Sequence, residues 1–326
     1  MRVATSTAYS QAVTSMNTQN FKLNKTMMQL SSGKRIITPS DDPAGAARVL
    51  GLNQAKSRTE QFQDNISALK SSLQIEETAL DGIVNTLQRV RELSIQANND
   101  TYDANQREAI SLEIQEHFEA ITAFANTSDG NGEFLFGGFN NRDAPFENVG
   151  GVVHYNGDQG QQFLQISATR QVASGDNGFD TFMNVRGSDN GDSATPLANR
   201  PPMSVFAIVK ELEITLSNAP GSGAGIPPEL TSDQFHTDMS RIIGNIDVAL
   251  GKVIDSQSAI GARINAIESQ ENVNEDYLVQ LATTLSNTQD LDYTEAISRL
   301  EQQQIGLQAS QQTFTKIQGL SLFNFI

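Results

Sequence analysis

The sequence predicts a mainly α fold: a long antiparallel coiled-coil helical rod built from both chain ends, with a small β-rich outer domain inserted between its halves. Two observations predict this class. Apolar residues recur at alternating spacings of three and four over residues 44–99 and again over 232–288, which gives a helix a stripe that another helix must cover. Between these stretches the helical period stops, and glycine, asparagine, aspartate and proline become frequent.

The two heptad stretches are of similar length, and each would run ~85 Å at 1.5 Å per residue. In the first, one line of the heptad holds Ile66, Leu73, Leu80 and Leu87, and the other holds Phe62, Leu69, Ile83, Val90 and Ala97, with Glu76 as the one misfit. In the second, the lines are Met239, Ile246, Val253, Ile260, Ile267 and Leu281, and Ile243, Leu250, Ile264, Leu278 and Leu285. We therefore expect the two stretches to pack on each other.

A third helix and the insert lie between them. Asp103 followed by Gln106 is typical of a capping box and predicts a helix to about Asn126. Short β-like runs at 133–136, 152–155 and 163–166 follow, and Asn156-Gly157-Asp158 predicts a hairpin between the last two. A further helix is expected within 201–217. Because the apolar seams lie outside the insert, replacing residues 142–222 is expected to leave the rod folded.

The two chain ends are predicted to be assembly arms. Their seam residues are Tyr9, Val13, Met16, Asn20, Leu23, Met27 and Leu30 in the first arm, and Ile297, Leu300, Gln304, Leu307, Gln311 and Phe314 in the second. Such polar seams bury little apolar area, whereas ordering a helix costs ~1–2 kcal/mol per residue. We expect the arms to be largely disordered in the free monomer and to fold when many subunits bury them together. The alternative, that the arms pair within one chain, stays open.

Breaks separate the arms from the rod. Gly33 is expected to end the first arm, since glycine takes the left-handed conformation at helix ends. Asp42 and Pro43 are expected to cap and open the next helix, and Asp292 to cap the last one. The predicted domains are residues 1–37 with 294–326 (arms), 38–138 with 230–293 (helical rod), and 139–229 (outer domain).

Composition argues against several functions. The chain has no cysteine, three histidines and a net charge of −16, and no catalytic, phosphate-binding or metal-binding motif is present. We therefore expect no enzyme, cofactor or metal site. The acidic balance argues against nucleic acid, and no apolar run predicts membrane insertion or a secretory signal peptide. The first 40 residues hold five basic residues and no acid, which leaves a membrane-surface helix as an alternative for this arm.

Several segments resemble the bacterial flagellin family. Leu30-Ser31-Ser32-Gly33-Lys34-Arg35-Ile36 and Asp41-Asp42-Pro43-Ala44-Gly45 resemble its N-terminal region, and residues 87–97 (LQRVRELSIQA) resemble its next segment. The stretch from Ser286-Asn287 to Asp292-Tyr293 resembles its C-terminal break. The start at Met1-Arg2-Val3, the ending SLFNFI at 321–326, the run FLFGG at 134–138 and Tyr155-Asn156-Gly157-Asp158 fit the family's hook–filament junction members better than its filament subunits.

The resemblance implies a structural subunit of the bacterial flagellum, exported unfolded by the flagellar type III apparatus and located outside the cell. It implies a homo-oligomeric ring between the other junction protein and flagellin, and an export chaperone that holds the C-terminal arm. Two alternatives stay open: a flagellin that polymerises into filaments, and a secreted coiled-coil adhesin or translocator.

Overall fold

The computed structural model describes residues 2–186, 202–222 and 229–319, which fall into two compact units. The first unit is Met1–Glu60 with Glu275–Ile326, and the second is Gln61–Asn274. The two longest helices, α2 (Pro43–Ala97) and α5 (Ser232–Gln289), each contribute residues to both units. These boundaries differ from the three-part division expected from the sequence, which stays a prediction.

The first unit is helical. It contains α1 (Arg2–Ser32), the start of α2, the end of α5 and α6 (Tyr293–Gly319). Helices α1 and α6 pack on each other in antiparallel directions, because Tyr9 contacts Phe314 and Gln19 contacts Gln303.

In the second unit, α2 and α5 run antiparallel. Arg91 pairs with Asp247, Lys70 Nζ lies 3.0 Å from a carboxylate oxygen of Glu268, and Gln63 accepts a hydrogen bond from Asn274. Residues with higher numbers in α2 thus contact residues with lower numbers in α5. The helical fold with chain ends brought together and a small β-containing insert is confirmed.

Helix α3 (Ala104–Ala125) begins where the sequence predicts it. Asp103 Oδ1 accepts from the backbone N–H of Gln106, and the Gln106 side chain accepts from the N–H of Asp103, so both halves of the capping box form. Arg89 Nη2 lies 2.8 Å from Glu113 Oε1 and connects α3 to α2.

The insert contains three small antiparallel sheets of two strands each in its described residues. The strands are β1 (Phe146–Val149), β2 (Val152–Tyr155), β3 (Phe163–Gln165), β4 (Gln171–Ala173), β5 (Val185–Arg186) and β6 (Pro202–Met203), with a π-helical turn at Phe179–Met183 and α4 at Val205–Ser217. The run at 133–136 is not a strand and forms only an isolated bridge between Ser128 and Phe134.

The predicted hairpin across residues 156–158 is wrong. Strand β2 pairs with β1 through a two-residue turn, Gly150-Gly151, whose φ angles are +64° and +89°. Glycine adopts such angles without a steric cost, and this turn suits the twist of paired strands. The Asp158 side chain instead closes a loop, since its Oδ1 accepts from the N–H groups of Phe139 and Gly160.

The large cluster of buried apolar residues lies within the second unit and includes side chains of the insert. Phe146, Phe182 and Phe206 pack as a ring cluster with centroids 5.1–6.2 Å apart, and they belong to the same buried cluster as the seam residues of α2 and α5. The seam residues lie outside the insert, as expected, but they share one buried cluster with insert side chains, and folding of the rod without residues 142–222 stays a prediction. The short runs of the insert carry aromatic side chains that no helical period reveals.

Candidate assembly surfaces

The contact between the two terminal helices is narrow and partly polar. The rings of Tyr9 and Phe314 lie 5.2 Å apart at an interplanar angle of 48°. Nearer the break, Gln19 Nε2 donates to the backbone oxygen of Gln303 at 3.3 Å. Gly306 leaves room for the Gln19 side chain, because a Cβ atom there would lie 2.6 Å from Gln19 Nε2. The two arms, which the sequence predicts to be disordered in the free monomer, are thus paired helices here, and their disorder in solution stays a prediction.

The non-helical segments that follow α1 and precede α6 lie side by side. Gly33 has a φ of +69°, and its carbonyl accepts from the N–H of Leu291 at 3.0 Å. The N–H of Arg35 donates to the carbonyl of Gln289 at 2.7 Å. Glycine is favoured at position 33, because a φ of +69° strains other residues and a Cβ atom would lie 2.9 Å from the Tyr293 hydroxyl oxygen.

Two aspartates fix the segment that leads into α2. Asp41 Oδ1 lies 2.7 Å from Lys25 Nζ, and Asp41 Oδ2 accepts from the N–H groups of Ile37 and Thr38. The hydrogen bond from Lys25, followed by the backbone donors, holds the pKa of Asp41 well below its usual value of 3.8. Asp42 Oδ1 accepts from the N–H of Gly45 at 2.9 Å, which is N-cap geometry, and Pro43 is the first helical residue.

Asp292 lies at the start of α6. Its Oδ1 accepts from the N–H groups of Thr294 and Glu295 at 2.9 and 3.2 Å. The Glu295 carboxylate does not complete the reciprocal capping box suggested by the sequence, because it pairs with Arg299 at 2.6 Å.

None of the predicted arm residues is fully buried within the chain. The half-buried ones are Val13, Met16, Asn20, Leu23, Leu30, Leu300, Leu307 and Phe314, and the exposed ones are Tyr9, Met27, Ile297, Gln304 and Gln311. The line Leu300, Leu307 and Phe314 is therefore the more protected side of α6, and the line Ile297, Gln304 and Gln311 is open to solvent.

The first unit leaves much of its apolar surface open. Its buried apolar residues are Ile36, Val49, Leu281, Leu291 and Ala296, while the large core cluster belongs to the second unit. Its exposed large apolar residues are Tyr9, Phe21, Met27, Met28, Ile37, Leu50, Tyr277, Val279, Tyr293, Ile297 and Ile305. Exposed apolar side chains that adjoin one another are typical of an interaction site, and these residues are the candidates for one.

Sequence reasoning missed part of this surface. Phe21, Met28, Leu50, Val279 and Ile305 are exposed, and none lies on the predicted arm seams. A signal was available in α1, because Phe21 and Met28 are seven residues apart and form a second apolar line beside the first. The heptad pattern predicts one seam in each arm, and these residues lie outside both seams.

Metal binding and membrane spanning find no support in the described part of the chain. No group of histidine, aspartate and glutamate side chains in the described ranges is arranged to hold a metal ion. No helix among the described residues is long and apolar enough to cross a membrane.

Comparison with known proteins agrees with the architecture. Residues 3–141 match the bacterial flagellin N-terminal helical region, and residues 243–326 match the bacterial flagellin C-terminal helical region. The chain is similar to flagellar hook-associated protein 3 of Escherichia coli K12, with 26% identity over 323 residues that cover 99% of each chain.

Two further similarities differ in extent. A flagellin of Clostridium tyrobutyricum is 37% identical over 134 residues, but the match covers 39% of this chain and 34% of that flagellin. The crystal structure of hook-associated protein 3 from Legionella pneumophila superposes with a TM-score of 0.62 at 24% identity, covering 72% of this chain and 97% of that one. With both terminal helical regions matched and the fold shared, this chain belongs to the bacterial flagellin family.

Proposed function

We propose that this chain is a structural subunit of the bacterial flagellum that forms the junction layer between hook and filament. One observation carries the proposal: similarity to hook-associated protein 3 of Escherichia coli runs over 99% of both chains, insert included. Similarity to the Clostridium flagellin stops after about a third of that protein. A filament subunit would share the terminal helices without sharing the insert.

Assembly in this proposal proceeds through the first unit. The terminal helices carry the seam residues predicted from the sequence, and each of these residues remains at least partly accessible in the single chain. Burying such apolar side chains between copies stabilises an oligomer by roughly 25 cal/mol for each Å² removed from water. The half-polar seams explain why one α1–α6 pair leaves surface for neighbours to cover.

The partners follow from the same proposal. Copies of the chain form a ring, which contacts the other hook–filament junction protein on one side and flagellin on the other. Before export through the type III apparatus, a chaperone holds the C-terminal arm, and the mature ring lies outside the cell. The net charge of −16 supports protein partners over nucleic acid, and we propose neither membrane insertion nor catalysis.

Gold-labelled antibodies against this chain, applied to flagella detached from the source bacterium, test the proposal. Electron microscopy should show label at one short zone between hook and filament, with flagellin antibodies labelling the filament beyond it. The matched control is a strain that lacks this gene, in which the zone should carry no label and flagellin should appear in the medium.

Two other results would point to the alternatives. Label along the whole filament, together with filament formation by the purified protein alone, would identify a flagellin. Label on the cell body, with co-sedimentation of the purified protein with liposomes, would identify a secreted adhesin or translocator.

A further inference from the structure

A carboxyl group interrupts the apolar seam of α2. Glu76 occupies the heptad line of Leu69 and Ile83, and all three side chains are buried, Glu76 with 0% of its surface exposed. A charge so far from water is costly unless it is paired and hydrogen-bonded. Apolar packing therefore does not explain why a glutamate occupies this position.

The partner of Glu76 is the backbone of the insert. Glu76 Oε1 accepts from the N–H of Asp176 at 2.9 Å. The second oxygen, Oε2, is buried and has no hydrogen-bond partner. Gly175 lies directly against it, since a Cβ atom at that residue would come within 3.3 Å of Oε2. The loop after β4 is therefore fastened to α2 by Glu76 and also by Ser72, whose hydroxyl donates to the carbonyl of Ser174 at 3.2 Å, and Glu76 Oε2 stays unpaired.

The charged groups around Glu76 come from each element packed beside it. From the insert, Asp176 places its own carboxylate nearby, and from α5, Arg263 Nη2 pairs with Asp176 Oδ1 at 2.6 Å. Arg263 is hydrogen-bonded to Asp176 and not to Glu76, and its positive charge offsets part of the rise in the pKa of Glu76. Further charged side chains line the two cavities that flank the Asp176 loop: Asp129 and Glu133 on one side, and Asp180, Lys252 and Asp255 on the other.

We propose that Glu76 is a proton-controlled latch that holds the insert loop Ser174–Asn177 against helix α2. With the proton on, the carboxyl group is neutral, fits the apolar seam and keeps its bond to the Asp176 N–H. With the proton off, a desolvated negative charge lies beside the carboxylate of Asp176, and the loop is pushed away from the helix. The docked loop buries this group, so docking of the loop opposes loss of the proton.

The direction of the pH dependence follows from linkage. Burial, and then the negative charge of Asp176, raises the pKa of Glu76 from its usual 4.5 to about 8. Between these values the folded state keeps the proton and the unfolded state releases it, so the stability of the second unit falls as pH rises. Below 4.5 both states hold the proton, and above about 8 neither does, so the effect is constant outside this window.

For a subunit that must unfold for export, such a latch makes unfolding easier at neutral pH than in mild acid. That consequence, and no other part of the inference, rests on the proposed function. Failure of the latch would leave the junction proposal intact, because the latch is tested on the isolated chain in solution.

The test is denaturant unfolding of the full chain at constant ionic strength from pH 5 to 9, for the wild type, Glu76→Gln and the control Glu77→Gln. Glu77 is the next residue of α2 and is partly exposed. The ratio of the unfolding constants of wild type and Glu76→Gln should grow by up to about tenfold per pH unit up to about pH 8, then level off. The control should follow the wild type at every pH.

A parallel dependence of wild type and Glu76→Gln would overturn the proposal. Should the variant fail to fold, a ¹³C NMR titration of the Glu76 carboxyl in the wild-type protein decides instead. A midpoint near 8, accompanied by loss of amide protection at Asp176, supports the latch. A midpoint in the ordinary glutamate range, or titration without a change at Asp176, contradicts it.

Discussion

Tyr9, near the start of the chain, lies in ring contact with Phe314, near its end, with centroids 5.2 Å apart. This contact lies at one end of the α1–α6 pair. At the other end, where the two helices meet their connecting segments, the N–H of Leu291 donates to the carbonyl of Gly33. Tyr9 nevertheless remains 47% exposed. Pairing within one chain therefore does not exhaust the seam, and the same side chains can serve contacts between subunits.

The break at Gly33 can be tested against a glycine that has no such constraint. Gly33→Ala should lower the stability of the first unit by at least about 1–2 kcal/mol, because alanine is strained at a φ of +69° and its Cβ would meet Tyr293. Gly51→Ala, inside α2 and with open space around it, should instead stabilise by about 0.5–1 kcal/mol. Thermal unfolding followed by circular dichroism measures both, and equal effects would refute the constraint at Gly33.

The shared core predicts that the insert contributes to the stability of the second unit. Phe146 is buried and lies in the aromatic cluster, so Phe146→Ala should cost about 3–5 kcal/mol. Phe163, on β3 and 58% exposed, is the control, and Phe163→Ala should change the free energy of unfolding by about half a kcal/mol. Urea unfolding compares the two. A small effect at Phe146 would restore the view that the insert is separable from the helices.

The lowered pKa of Asp41 predicts a contribution to stability that is present at neutral pH and is lost in acid. A carboxylate whose folded pKa is depressed contributes fully above its usual value of 3.8, and that contribution is lost as pH falls further, through the folded pKa. The stability difference between wild type and Asp41→Asn should thus be constant from about pH 7 to about pH 5 and shrink below about 3.8.

Amide exchange at Ile37 and Thr38, whose N–H groups donate to Asp41, reports the same event locally. The exposed Asp64 offers the control, and Asp64→Asn should leave this protection unchanged. Protection that survives in Asp41→Asn would show that the aspartate does not hold the break.

The long helices could be predicted because their seams repeat over many turns. Leu73, Leu80 and Leu87 are spaced by seven and are all buried, and the capping pairs at Asp103 and Asp42 mark helix starts from local chemistry alone. Such signals depend on neighbours a few residues away, so the sequence displays them directly.

Long-range pairings could not be predicted in the same way. The hydrogen bond from the Asp176 N–H to Glu76 joins residues far apart in the sequence, and no repeating pattern connects them. The sequence alone therefore shows Glu76 only as a polar exception in an apolar seam. Glycine-containing turns both precede and follow strand β2. The two-residue turn Gly150-Gly151 before it joins it to β1, and the longer segment after it does not form a hairpin. The exposure of Ile305 likewise could not be predicted, because it depends on which side of α6 packs against α1.

We propose that the apolar surface left open on the terminal helices joins the subunits, and a substitution at Ile305 tests this role. Ile305 is 66% exposed, and Gln308, on the same helix, is exposed too. Ile305→Asp and Gln308→Asp add the same charge, and neither should shift the melting temperature of the monomer. In a strain lacking the wild-type gene, Gln308→Asp should restore gold-labelled junctions, whereas Ile305→Asp should fail because an unpaired charge would be buried between subunits. Junctions that form equally well with both variants would show that this apolar surface does not join the subunits.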